Sequence, residues 1–119
     1  MRGLLLSAAV LGGAAAWAQE PATTAPGAVL RALDKSTGIV TDIELRSGQH
    51  TRHGLIDIAL EECRYPEGNA AGDAFAHVTL RDERENTVLF NGWMIASSPA
   101  LNAFDHPRYD VWVMRCITS

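Results

Sequence analysis

Three features predict an all-β domain, built as a small β-sandwich or barrel of six to seven short antiparallel strands. Apolar and polar residues alternate over short stretches. Turn residues recur roughly every eight to twelve positions, and β-branched residues crowd between them. Val29–Leu33 is the first strand candidate, followed by turn chemistry at Asp34-Lys35-Ser36-Thr37-Gly38. Ile39, Thr41, Ile43 and Leu45 then fall on one face of a second strand, and Ser47-Gly48-Gln49 turns the chain. His50–Gly54 reads as a short edge strand. From Leu55 to Cys63, Ile56, Ile58 and Leu60 oppose Asp57, and the β-branched content favours a strand over a helix. Tyr65–Asp73, with Pro66, Gly68, Asn69 and Gly72, is a loop. Ala74–Leu80 sets Ala76, Val78 and Leu80 against Phe75, His77 and Thr79. A charged tip over 81–86 leads into a strand over Thr87–Ile95. Ser98 as an N-cap followed by Pro99 predicts one short helical turn near 98–104. The closing strand, Tyr109–Cys116, puts Tyr109, Val111 and Val113 on one face and Trp112 and Met114 on the other.

The chain has 119 residues, 47% hydrophobic and 20% charged, which suits one globular domain and excludes wholesale disorder. Its formal charge of −4 supplies no basic surface, so no nucleic-acid partner is expected. Residues 1–18 read as a secretory signal peptide. Arg2 precedes the small, apolar run Gly3–Ala16, and Ala16-Trp17-Ala18 fits a signal peptidase site with cleavage before Gln19. The run is short of the roughly 20 apolar residues that a membrane-spanning helix needs, so no membrane span is expected after cleavage. Loss of Arg2 makes the mature chain one unit more acidic. Residues 19–27 hold Pro21, Pro26, Gly27 and two Thr, with no large apolar residue, and read as a flexible leader before a single domain over 28–119.

Cys63 and Cys116 are the only cysteines. An even count in an exported chain predicts one disulfide between them, worth about 4 kcal/mol in the chain-entropy description. A redox role has no Cys-x-x-Cys to support it.

The run from Gly92 to Cys116, GWMIASSPALNAFDHPRYDVWVMRC, and the opening VLRALDK at 29–35 resemble the DUF2155 family, exported alphaproteobacterial proteins of unknown function. The resemblance covers roughly residues 28–118. It implies a periplasmic home in a Gram-negative cell, and it brings no catalytic residue or cofactor with it.

Among side chains that carry chemistry, Ser97, Ser98, Asp105 and His106 hold the residue types of a hydrolase triad. They lack Gly-x-Ser-x-Gly, and a capping Ser and a turn Asp-His-Pro account for them better. His50, His53 and Asp57, joined by His77 or His106, are metal-ligating types without metal-site spacing. Glu61-Glu62 and Asp82-Glu83-Arg84-Glu85 lack the alternating oxygen pattern of a calcium loop and read as solvated charge. No catalytic residue, metal ligand or cofactor is therefore expected. Trp93, Met94, Phe104, Tyr109 and Trp112 crowd into twenty residues. Part of the core is one reading of them, and the candidate interaction surface is the other. The function expected is a non-catalytic interaction module that assists envelope assembly through a sheet edge or the Trp93–Trp112 surface, with a protein partner. A small-ligand or metal-binding domain is the alternative, with a hydrolase behind it.

Overall fold

The alternating segments become strands in a computed structural model of the chain, which describes residues 21–102, 104 and 106–118. Eight are formed: β1 (Ala22–Ala25), β2 (Gly27–Asp34), β3 (Ile39–Arg46), β4 (His50–His53), β5 (Ile56–Pro66), β6 (Phe75–Asp82), β7 (Thr87–Ile95) and β8 (Tyr109–Ile117). They build two antiparallel sheets. One runs β1-β5-β6-β7 with β4 also on β5, and the other runs β3-β2-β8. The all-β expectation holds, in the form of a sandwich.

β5 organises the larger sheet. One of its edges is β6. The other is shared by two short strands, β4 against Ile56–Ala59 and β1 against Cys63–Pro66. Between them the 47–49 turn takes over: the Leu60 amide donates to the Gln49 carbonyl (2.9 Å) and the Gly48 amide to the Leu60 carbonyl (2.8 Å). That edge of β5 is thus hydrogen-bonded along its length, as buried backbone requires.

The core lies between the sheets. Leu30 of β2, Ile56 and Ile58 of β5, Val78 and Leu80 of β6, and Tyr109 and Val113 of β8 are all essentially inaccessible, and no polar or charged residue joins them among the described residues. A bulge in β5 between Leu60 and Glu62 shifts the alternation by one. Ile56, Ile58, Leu60 and then Cys63 consequently all point inward.

Two expectations are corrected. The 19–27 stretch is not wholly a leader. Residues 22–25 form β1, Ala25 is buried, and Gly27 already belongs to β2. The reason is tertiary, because the second half of β5, paired with β6 on one side, has its other side filled by β1. Gly27 is required there, since a Cβ would collide with the Leu45 carbonyl oxygen. The second correction concerns the helical turn near 98–104: no helix occurs among the described residues. The Ser98 amide donates to the Ile95 carbonyl (3.1 Å) and the Leu101 amide to the Ser98 carbonyl (3.0 Å), which makes turns. A helix this short does not overcome its nucleation cost, and Asn102 is engaged elsewhere. The signal segment, with Ala16, Ala18 and Gln19, lies outside the described residues.

Candidate functional site

The two cysteines meet. Cys63 on β5 and Cys116 on β8 are joined with an S–S distance of 2.13 Å, so the bridge ties one sheet to the other. Both are buried.

The aromatic group does not form one surface. Met94, Phe104 and Tyr109 are buried, and only Trp93, at 37% exposure, is open to solvent on the outer face of the larger sheet. Trp112 is half-buried on β8, in the other sheet. Alternation explains the split. Trp93 and Met94 are neighbours in one strand and must face opposite ways, as must Trp112 and Val111. Tyr109 uses its polar end well, since its hydroxyl accepts the Leu55 amide at 3.1 Å. Gly54 makes room for it, with φ at +61° and no space for a Cβ against that hydroxyl.

The four histidines are apart and individually occupied. His50 Nδ1 lies 2.9 Å from Asp57, whose hydrogen bond and charge raise the imidazole above its usual value. His53 meets the Tyr109 ring edge-on at 5.8 Å. His77 stacks on Trp93 at 5.1 Å and reaches Asn91 Oδ1 at 2.9 Å. His106 stacks on Phe104 at 5.6 Å. Among the described residues no three His, Cys, Asp or Glu side chains come together as a metal would need.

The triad types are likewise dispersed. The Ser97 hydroxyl donates to Asp73 Oδ2 at 2.6 Å and its amide to Oδ1 at 2.9 Å. Burial pushes the Asp73 carboxyl up, but the bonds from Ser97 and from the Ala74 amide outweigh it and leave the group below its usual range. The Ser97 hydroxyl thus faces a carboxylate that anchors a loop, whereas His106 accepts backbone amides elsewhere. Asp105 lies outside the described residues. Glu61 accepts the Thr79 hydroxyl at 2.9 Å, and Asp82 caps its turn by accepting the Arg84 and Glu85 amides at 2.8 and 3.0 Å.

What remains distinctive is the outer side of β7. β7 closes one end of the larger sheet, with β6 on its inner side only. Its nine residues, TVLFNGWMI, contain no charge and no proline. The other strands at sheet edges are guarded. β1 and β4 have four residues each. β3 carries Asp42, Glu44 and Arg46, and β8 carries Asp110 and Arg115. Charge, brevity and proline are the usual means of blunting an edge, and β7 has none of them. It has a bulge at Leu89, between the Leu80–Phe90 and Arg81–Val88 pairs. Val88 and Leu89 are 51% and 38% exposed. Beside Trp93 the outer face is polar: Arg64 sits 5.4 Å from the centre of the Trp93 ring, and its guanidinium bonds Glu62 at 3.0 and 3.3 Å.

Residues 28–116 match the family described as "Uncharacterized protein conserved in bacteria (DUF2155)". The chain belongs to the DUF2155 family. The DUF2155 chain is also 32% identical over 88 residues to "Uncharacterized protein RP359" of Rickettsia prowazekii (strain Madrid E), a match covering 71% of this chain. The chain spans 57% of that relative's length. No solved structure matches this DUF2155 chain.

Proposed function

We propose that this DUF2155 domain is a non-catalytic docking module of the periplasm, and that it takes an extended segment of an envelope protein onto the outer edge of β7. The observation that carries the reading is the long, uncharged β7 edge among strands that are otherwise short or charged. The Trp93 carbonyl already accepts a hydrogen bond from Asn102 Nδ2 at 2.7 Å, so strand addition would use the Thr87–Asn91 part of this edge, with the exposed Leu89 and, beyond it, Trp93 giving selectivity. Export is supported by the signal-like N-terminal sequence and by the bonded cysteine pair, which persists in an oxidising compartment.

The test is site-specific photocrosslinking in living cells, with the photoreactive residue at Leu89 on β7 or at Glu44 on the charged edge strand β3. The expected result is a discrete adduct from the Leu89 position, absent from the Glu44 position. No adduct from Leu89, or the same adducts from both strands, would overturn the reading. Fractionation of the same cells tests the compartment: the mature, oxidised domain is expected in the periplasmic fraction, and recovery in the cytoplasm with reduced cysteines would refute export.

A further inference from the structure

The smaller sheet buries one residue on the side away from the core. Ala28, Leu30 and Ala32 of β2 face the core, so Val29 between them faces outward. Val29 is nevertheless only 3% exposed and lies outside the cluster packed between the sheets, whereas Arg31 and Leu33 on the same face are half-buried. It floors a hollow of about 410 Å³, walled by Glu44, Arg115 and Ile117 and by Ala70 and Ala71 from the connection between β5 and β6. A second hollow of about 270 Å³ adjoins it through Glu44 and Ile117.

The wall is held in place. The Asn69 amide donates to the Pro66 carbonyl at 3.0 Å and the Gly72 amide to the Asn69 carbonyl at 3.0 Å, so successive turns fix Ala70 and Ala71. The Cys63–Cys116 bridge ties β5, which leads into these turns, to β8 beside Arg115. A site framed before its ligand arrives loses less on binding.

Its charges sit on opposite rims. Val29 pairs with Glu44 of β3 on one side and with Arg115 of β8 on the other. Two strand spacings separate them, about 10 Å at the backbone. Among the described residues no ion pair includes either one. Asp42, the carboxylate next along this face, is already taken: Arg31 bonds its two oxygens at 2.7 and 3.1 Å. A guanidinium and a carboxylate across an apolar floor match a ligand with a carboxylate at one end, an ammonium at the other and an uncharged body between. An extended chain advances about 3.3–3.6 Å per residue, so three residues span about 10 Å. The volume agrees, since it is near the lower end of the roughly 300–1,000 Å³ of small-molecule sites.

We propose that this hollow binds a short free peptide, about three residues long, with its carboxylate on Arg115 and its ammonium on Glu44. Exposed charge pairs are individually weak, so the affinity is millimolar and needs both ends. The hollow is on the smaller sheet and the β7 edge on the larger, so neither reading depends on the other.

Nuclear magnetic resonance titration of the mature, oxidised protein tests this with three probes: trialanine, its N-acetyl form and its C-terminal amide. Trialanine should give saturable shifts at the Val29, Ala70, Ala71 and Arg115 amides and leave Leu89 on β7 unmoved. Blocking either end should weaken binding about three- to fivefold. The variants then assign the ends. Glu44→Gln should bind free and acetylated trialanine equally, and Arg115→Gln should bind free and amidated trialanine equally. Both side chains are exposed, and unchanged core amides such as Ile58 confirm that the variants fold. Shifts that do not saturate or that fall outside the hollow overturn the proposal. So does equal affinity of the wild type for all three peptides, or a difference between free and blocked peptides that survives in both variants.

Discussion

Tyr109 shows how a single side chain commits this fold. Its ring is 1% exposed, and its hydroxyl is the partner of the Leu55 amide. Tyr109→Phe keeps the volume and leaves that amide without an acceptor. The expected cost is about 1–2 kcal/mol in urea unfolding, with an unchanged slope. Asp34 makes a different kind of contribution. The Arg108 guanidinium, then the Ser36 hydroxyl and amide, hold its carboxyl far below the usual carboxylate range. The folded value is the lower one, so on acidification the unfolded chain takes up the proton first. The stabilisation is therefore complete above the unfolded value, near pH 4, and is lost progressively as the pH falls below it. Comparing thermal midpoints of wild type and Asp34→Asn against pH checks this. The gap seen at neutral pH should shrink below about pH 4, and a gap that stayed constant would place the effect elsewhere.

Strands carry the next level, and here the Cys63–Cys116 bridge does what backbone pairing cannot, since β5 and β8 lie in different sheets. Replacing either cysteine by Ala should destabilise the domain by about 2–5 kcal/mol, read from urea unfolding with and without reductant, and reduction should erase the difference. The strands were largely legible in the sequence because period-two alternation is a local signal: the Thr87–Ile95 boundaries agree at both ends. Cys63 is where that signal broke, since it lies out of phase with Ile56, Ile58 and Leu60 until the bulge after Leu60 restores it. β1 was not legible. Its Ala-Thr-Thr-Ala has no hydrophobic face, and it is a strand only because β5 offers an edge. The aromatic cluster misled for a related reason. Closeness along the chain put Trp93, Met94 and Trp112 into one group, whereas alternation and the two-sheet arrangement send them to different faces. The place of β7 at the end of the larger sheet was beyond local reading altogether, because strand order is a matter of non-local pairing.

Taken whole, the molecule distributes its edges unevenly, with charge on β3 and β8, brevity on β1 and β4, and neither on β7. On β7 only the bulge at Leu89 and the Asn102 bond to the Trp93 carbonyl stand in the way of an added strand, so association at high concentration should run through its uncharged Thr87–Asn91 part. Leu89→Lys tests this, because residue 89 is partly exposed at the bulge and outside the core. The substitution should leave folding stability within about 0.5 kcal/mol of wild type. The right comparison is Val40→Lys, which adds the same charge to exposed β3. In a chain of net charge −4, either lysine weakens overall repulsion, which by itself promotes association. Sedimentation over a concentration series should nevertheless show less association for Leu89→Lys than for wild type, and no such decrease for Val40→Lys. Equal behaviour of the two variants would mean that net charge governs association and that β7 holds no special place among the edges.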